Sequence, residues 1–456
     1  MKNHTYTTNG ALQYKNSGKK CLDLFSKIGN MRHFPKSYIL EMFEEAFNDN
    51  PELATQVAFW ARAAREGAGE RKTFFTILDE IRKISPEFIS DNARILAELG
   101  YWKDLVRYFD IPGVVSVFAQ AIRDKDRLAC KWAPRKSVVL RDELGFTNRE
   151  YRKWLKRYSE TVEQQMSDGE WDKIEYSSVP GNAMRRYSNS FDRNDNDRFV
   201  SWKNDKTTKA SVSATYPHQI WGISDEALQD KLWNNLPDHI KPGERMLPMI
   251  DVSGSMFGKP LEVAISLGMY LAERNKSEFK DMFLTFSESP QIVKIVGDTL
   301  RERIQNISNA DWDMNTDFEK AYRHVLDIAR KHNVVKDSMP TMILVLSDMQ
   351  FDESQRGMDD KTHLSWIKHE YEQSGYDFPK LVFWNLDVYV GTPAKCSDEN
   401  VAMVSGFSPS IMKAILNVDI ENFNPMSVMY EALESIELDY TNLNHELDID
   451  YQQEII

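Results

Sequence analysis

Met246-Leu247-Pro248-Met249-Ile250-Asp251-Val252-Ser253-Gly254-Ser255-Met256 is the stretch whose reading decides the fold. An apolar run drives into a carboxylate, and two serines follow at every second position. A buried strand that stops at a turn would present Asp251, Ser253 and Ser255 together. Carboxylate and hydroxyl oxygens are hard ligands, suited to Mg²⁺ or Mn²⁺. Pro260 marks the opening of a helix just beyond.

Outward from this stretch, strands are expected over residues 246–252, 281–286, 292–296, 341–346, 380–386 and 401–404. Amphipathic helices are expected between them, over 261–274, 299–307, 317–331, 362–371 and 409–416. Apolar strands alternating with helices predict an α/β, Rossmann-like layer with a mostly parallel sheet covered on both faces. Ligands in such sheets sit at the C-terminal ends of the strands. Asp251 falls there, and so does Asp348, just past Met342-Ile343-Leu344-Val345-Leu346. Thr316 stands at the head of a helix after a loop that starts at 309. The expected metal ligands are therefore Asp251, Ser253, Ser255, Thr316 and Asp348. Asp317 reads as a helix-start charge. The run Gly254 to Lys259 echoes a phosphate loop, but it is one residue short, and Pro260 stands where Ser or Thr is needed. The nine histidines form no HExxH, and no nucleophile stands with a base, so no enzymatic activity is expected.

The first half reads differently. Apolar residues recur at helical spacing: Leu22, Phe25 and Ile28; Ile39, Leu40, Phe43 and Phe47; Phe74, Phe75, Leu78 and Ile81. Pro35, Pro51, Pro86 and Pro112 punctuate short helices, and no strand alternation interrupts them. Stacked helix pairs of this kind make a HEAT-like α-solenoid. Residues 1–18 are polar and turn-rich and read as an extended arm or lead-in loop. Residues 176–215 read as a flexible insertion. Pro237, Pro242 and Gly243 mark a linker. The expected units are 1–243 (helical), 244–440 (α/β) and 441–456 (an acidic tail).

The net charge of −13 is uneven. Residues 1–243 hold 38 Lys+Arg against 34 Asp+Glu, or +4; residues 244–456 hold 19 against 36, or −17. Residues 123–157 carry twelve Lys or Arg and five acids, with Trp132, Phe146, Tyr151 and Trp154 interleaved. Such a segment could hold phosphates and stack on unpaired bases; it could equally be a solvated helix face with its tryptophans turned inward. No apolar run approaches the ~20 residues needed to span a bilayer. Cys21, Cys130 and Cys396 are far apart and form no disulfide framework, so a reducing, cytoplasmic setting is expected.

The five metal positions resemble the metal-ion-dependent adhesion site of von Willebrand A domains: DxSxS, a Thr in a loop, and an Asp after a later strand. A helical part followed by such a domain is similar to the Ro autoantigen family, whose helical part is the TROVE module, and more closely to an uncharacterised Ro-like family. The segments that carry this resemblance are Asn9-Gly10-Ala11, Arg65 to Lys72, Gly100 to Leu105, Lys131 to Lys136, Trp171 to Pro180, and Leu346 to Phe351. It implies a helical module that closes into a ring and a ribonucleoprotein role, with small or misfolded RNA as the partner. The implied RNA-facing positions are Lys131, Arg135, Lys136, Arg141, Arg149, Arg152, Lys153, Lys156, Arg185 and Arg186. The alternative function is a protein-interaction scaffold, in which a partner's carboxylate completes the metal site.

Overall fold

The computed structural model describes residues 3–285, 290–308, 318–351, 363–387, 391–419, 422–447 and 449. The lead-in expected as an arm folds as an antiparallel hairpin of β1 (His4–Tyr6) and β2 (Leu12–Tyr14). Behind it, helices follow one another from Lys20–Ile28 to Glu226–Asn234. Their boundaries have local causes. Pro51, Pro86, Pro112 and Pro217 each occupy a first helical position, where the missing N–H costs nothing. The Asn50 side chain accepts the Leu53 N–H at 3.0 Å, and Thr147 and Glu150 close a reciprocal cap on helix Asn148–Ser159.

The stretch 176–215, expected to be flexible, instead holds helices Gly181–Asn194 and Asn196–Asn204. Phe191, Phe199 and Trp202 gather around the Tyr176 ring. Four aromatics spread through polar sequence make a core without making a helical stripe, which is why this order is hard to read from the residues alone.

The second half forms a six-stranded sheet. Its strands are β3 (Met246–Ile250), β4 (Met282–Thr285), β5 (Ile292–Lys294), β6 (Met342–Ser347), β7 (Lys380–Asn385) and β8 (Val401–Ser405). Their order is β5-β4-β3-β6-β7-β8, with only β5 antiparallel to its neighbour. β3, β6, β7 and β8 are buried along their whole length, as strands covered on both faces must be. Helices Ile411–Asn417 and Pro425–Leu433 follow the last strand.

Both ends of the helical half meet this sheet unit. From the start of the chain, the Gly29 N–H donates to Ser405 Oγ at 2.9 Å, and Asn30 donates to the Asn385 carbonyl. From the end of the helical half, Trp233 Nε1 donates to Glu273 at 2.7 Å, and the Leu300 N–H reaches Asp230 at 2.8 Å. The chain beyond Leu433 then runs back over the first helices. Gln56 donates to the Ile436 carbonyl at 2.8 Å, Asn92 and Asp439 exchange two hydrogen bonds, and the Asn444 N–H donates to Ser85 at 2.8 Å. Of the residues expected as an acidic tail, Leu443, Leu447 and Ile449 are buried, so its described part is a packed strap. No described helix is long and apolar enough to cross a membrane.

Candidate metal centre and basic surface

β3 has β4 on one side and β6 on the other, so the sheet order reverses between β3 and β6. The chain leaves the C-terminal ends of these strands in opposite directions, and a crevice opens between them. Asp251 follows β3 directly, and Asp348 follows β6. The pairing of Ile250 with Leu346 sets Asp251 level with Ser347 and leaves Asp348 one residue further along.

Asp251, Ser253 and Asp348 are buried, while Ser255 is exposed. Asp251 Oδ1 accepts the Ser253 N–H at 2.9 Å, and Oδ2 accepts the Ser347 hydroxyl at 2.5 Å. Asp348 Oδ1 accepts the Gln350 N–H at 3.0 Å, and a hydrogen bond from Ser255 also reaches this carboxylate. The Ser253 and Ser255 hydroxyls lie 3.0 Å apart. Four of the five expected ligands therefore share one crevice. Thr316 and its neighbour Asp317 lie outside the described residues.

Burial pushes the Asp251 carboxyl up to about 6, and the nearby Asp348 charge adds to the rise. Asp348 is also raised, mainly by burial and further by Asp387. Among the described residues, no Lys or Arg pairs with either Asp251 or Asp348. Two buried like charges side by side are costly unless a cation lies between them. A carboxylate oxygen that accepts one hydrogen bond keeps a second lone pair that a cation can use. The donors are oxygen only, which fits Mg²⁺ or Mn²⁺ rather than a thiolate- or imidazole-seeking metal. No cluster of three or more His, Cys, Asp or Glu able to hold a metal occurs among the described residues, so hydroxyls are an essential part of this set. Two contributors were not singled out from sequence. Ser347 locks the Asp251 carboxylate while its Oγ accepts the Met349 N–H at 3.0 Å, and Asp387 extends the negative field past β7. Their one signal is position, at or just beyond a strand's C-terminal end.

The ten basic positions divide. Lys131 pairs with Glu163 at 3.3 Å, Arg141 with Asp142 at 2.8 Å, and Lys156 with Asp168 at 3.1 Å. Arg152 donates to the Asn148 carbonyl, and Arg185 reaches the Asn182 side chain at 3.4 Å. Arg135, Lys136, Arg149, Lys153 and Arg186 are exposed and have no carboxylate partner among the described residues. Of the interleaved aromatics, Tyr151 is buried, while Trp132, Phe146 and Trp154 are half-buried. Trp154 packs at a tilt against Phe146 and Tyr158 and donates to the Ile122 carbonyl, and Trp132 packs against Tyr101. Phosphate contact is open to this surface, and the rings beside it are held by packing within the helical half.

Two of the segments that carry the sequence resemblance meet in a buried ion cluster. Asp104 accepts both Arg62 and Arg71, and Arg62 is almost wholly buried. Beside it, Glu70 pairs with Arg32 at 2.7 Å, and the Arg32 guanidinium lies 4.3 Å from the centre of the Phe407 ring. These residues fasten the loop around Gly67 to the far end of β8. Asn9 likewise donates to the Gln350 carbonyl at 2.8 Å, which joins two further segments beside Asp348.

The family described as domain of unknown function (DUF2828) matches residues 7–112 and 114–238, and the family described as domain of unknown function (DUF7788) matches residues 246–445. The uncharacterized protein L728 of Acanthamoeba polyphaga mimivirus is 27% identical over 523 residues, covering 98% of this chain and 90% of that protein. The crystal structure of the Deinococcus radiodurans RO (RSR) protein aligns over 94% of this chain and 96% of its own at 12% identity, with a TM-score of 0.36.

Proposed function

We propose that the chain, which belongs to the family described as domain of unknown function (DUF2828), is a non-enzymatic RNA-binding protein with a Mg²⁺ site for partner docking. The observation that carries the RNA reading is the set of exposed cations without a carboxylate partner among the described residues, Arg135, Lys136, Arg149, Lys153 and Arg186, on a chain whose net charge is −13. Cations without carboxylate partners are available to phosphate, and each phosphate neutralised releases counterions. The Ro-like plan read from the sequence supports the same class of ligand, with small structured RNA or single-stranded ends as candidates.

The test is binding of a single-stranded RNA by the full chain over a range of salt. Affinity should fall linearly on a log–log plot. Replacing Arg135, Lys136, Arg149 and Lys153 by Ser should weaken binding and reduce the slope by up to about 0.7 for each phosphate that the variant no longer neutralises. Affinity no better than that of a neutral control protein at ~50 mM salt, where phosphate binding is strongest, would sink the proposal.

The metal would be held by Asp251, Ser253, Ser255 and Asp348, with Thr316 added by the resemblance to von Willebrand A domains. A Mg²⁺ held this way supplies an open position that a partner's Asp or Glu can fill. A reading as a protein-interaction scaffold without RNA is favoured by one observation at the rim. Phe257, two residues past Ser255, is 87% exposed, which is unusual for a ring unless something covers it.

A further inference from the structure

Met349 follows Asp348 directly and holds φ at +63°, although it is not a glycine and its side chain is buried. A residue with a Cβ is strained in that region and stays there only where its surroundings over-determine it. Two of the constraints are local. The Met349 N–H donates to Ser347 Oγ, and the Gln350 N–H donates to Asp348 Oδ1, both at 3.0 Å. The second bond ties the Asp348 carboxylate to the position of the Gln350 backbone.

Further constraints come from the start of the chain. Gly10, at φ +91°, lets the chain turn back between β1 and β2. The tip so formed makes three hydrogen bonds to the segment after Asp348. Thr7 Oγ1 donates to the Phe351 carbonyl at 2.6 Å, the Thr8 N–H donates to Gln350 Oε1 at 2.9 Å, and Asn9 Nδ2 donates to the Gln350 carbonyl at 2.8 Å. The base of the hairpin is fastened separately, because Tyr14 and Thr392 exchange two backbone hydrogen bonds, at 3.0 and 2.9 Å. The hairpin is thus a short arm, braced on the chain after β7 and reaching the chain after β6.

We propose that the hairpin tip, through Thr7 and Asn9, is a clamp on the metal centre. It holds the backbone at Gln350 and Phe351, that backbone holds the Asp348 carboxylate, and the affinity for a divalent cation is set from the first residues of the chain. Thr7 and Asn9 are positioning residues that act through this backbone rather than as ligands. The proposal rests on the Mg²⁺ reading of the Asp251 crevice and does not depend on the RNA reading. Removing groups that orient a metal ligand typically weakens metal binding ~10–100-fold.

The test is Mn²⁺ binding to the full chain, read from the loss of the free-ion paramagnetic resonance signal, together with amide hydrogen exchange read by mass spectrometry. The double variant Thr7→Val, Asn9→Ala leaves the hairpin fastened at Tyr14. It should fold with a Tm close to that of the unaltered chain and bind Mn²⁺ ~10–100-fold more weakly. Thr7→Ser keeps the hydroxyl and should bind as the unaltered chain does. Tyr6→Thr, on the same hairpin at a side chain that is 68% exposed, should do the same. With no ion present, the Met349 and Gln350 amides should exchange faster in the double variant, and those of β8 should not change. A measure free of any variant follows from reciprocity: saturating Mn²⁺ should slow exchange of the Thr8 amide in the unaltered chain. Equal Mn²⁺ affinity in the double variant, unchanged exchange at Met349 and Gln350, or a Thr8 amide indifferent to bound Mn²⁺ would each overturn the clamp and leave the metal reading standing. No Mn²⁺ binding by the unaltered chain would overturn the metal reading and the clamp with it.

Discussion

Asp251 shows how one side chain can be both fixed and unsatisfied. The Ser253 N–H and the Ser347 hydroxyl hold its two oxygens, yet the Asp348 charge lies nearby and no Lys or Arg among the described residues pairs with either carboxylate. A divalent ion should therefore stabilise the fold, by ~2.7 kcal/mol at a hundredfold excess over its dissociation constant. Asp251→Ala should abolish that gain, read as the Tm difference with and without Mn²⁺. It should also remove any divalent-dependent partner from a pull-down. A variant that still gains the full Mn²⁺ increment would show that the ion sits elsewhere.

His218 presents the opposite case, a base kept neutral. Burial first, then the charges of Lys259, Arg32 and Arg185 that face it, bring its pKa down from 6.5 to about 3. The unfolded chain takes up this proton below 6.5, whereas the folded chain does not until about 3. The resulting stability is present in full above pH 6.5 and is lost as pH falls from there toward 3. His239, held down to about 4 mainly by burial, shares part of the window. Urea midpoints measured on either side of pH 6.5 should show the loss, and His218→Phe should lose less. An identical pH profile in that variant would rule out this role for His218.

The segments Arg65 to Lys72 and Gly100 to Leu105 stand out in the sequence, and their element-scale job is the Asp104 cluster. Removing one partner of a buried pair strands the other charge. Asp104→Ala should cost ~3–5 kcal/mol, since it leaves Arg62 buried without a counter-charge. Arg71, whose side chain is 56% exposed in the same cluster, should cost under about 1 kcal/mol when replaced by Ala. Urea unfolding of the two variants tests that contrast; equal losses would mean the burial of Arg62 does not matter.

What could be read ahead of the structure follows the same physics. The strands of the sheet and the helices of the first half announce themselves because burial imposes a period on their apolar residues. Asp251, Ser253, Ser255 and Asp348 were legible because strand ends are where such sheets gather ligands. The hairpin at 4–14 and the strap after Leu433 have no period. Hydrogen bonds to distant partners such as Thr392, Gln56 and Asn92 hold them, and no local pattern encodes those. Ser347 escapes a reading of the sequence for a related reason. A serine in an apolar strand is ordinary until its neighbours are known.

At the scale of the molecule, the sheet unit touches the first helices, the last helices of the first half and, through the strap, the helices between Lys36 and Asp91. With contacts at both ends, neither half can loosen without exposing buried surface on the other. The full chain should therefore unfold in one transition, with tryptophan fluorescence and far-ultraviolet circular dichroism changing together. Gly29 is the position to perturb, because its backbone runs so close to the Ser405 carbonyl that a Cβ there would collide with main-chain atoms. Backbone cannot swing aside as a side chain can, so Gly29→Ala has to push helix Lys20–Ile28 away from β8. If the seam couples the halves, this one methyl group should lower the midpoint seen by both probes equally. If the halves are independent, the probes will separate into two transitions, only one of which moves.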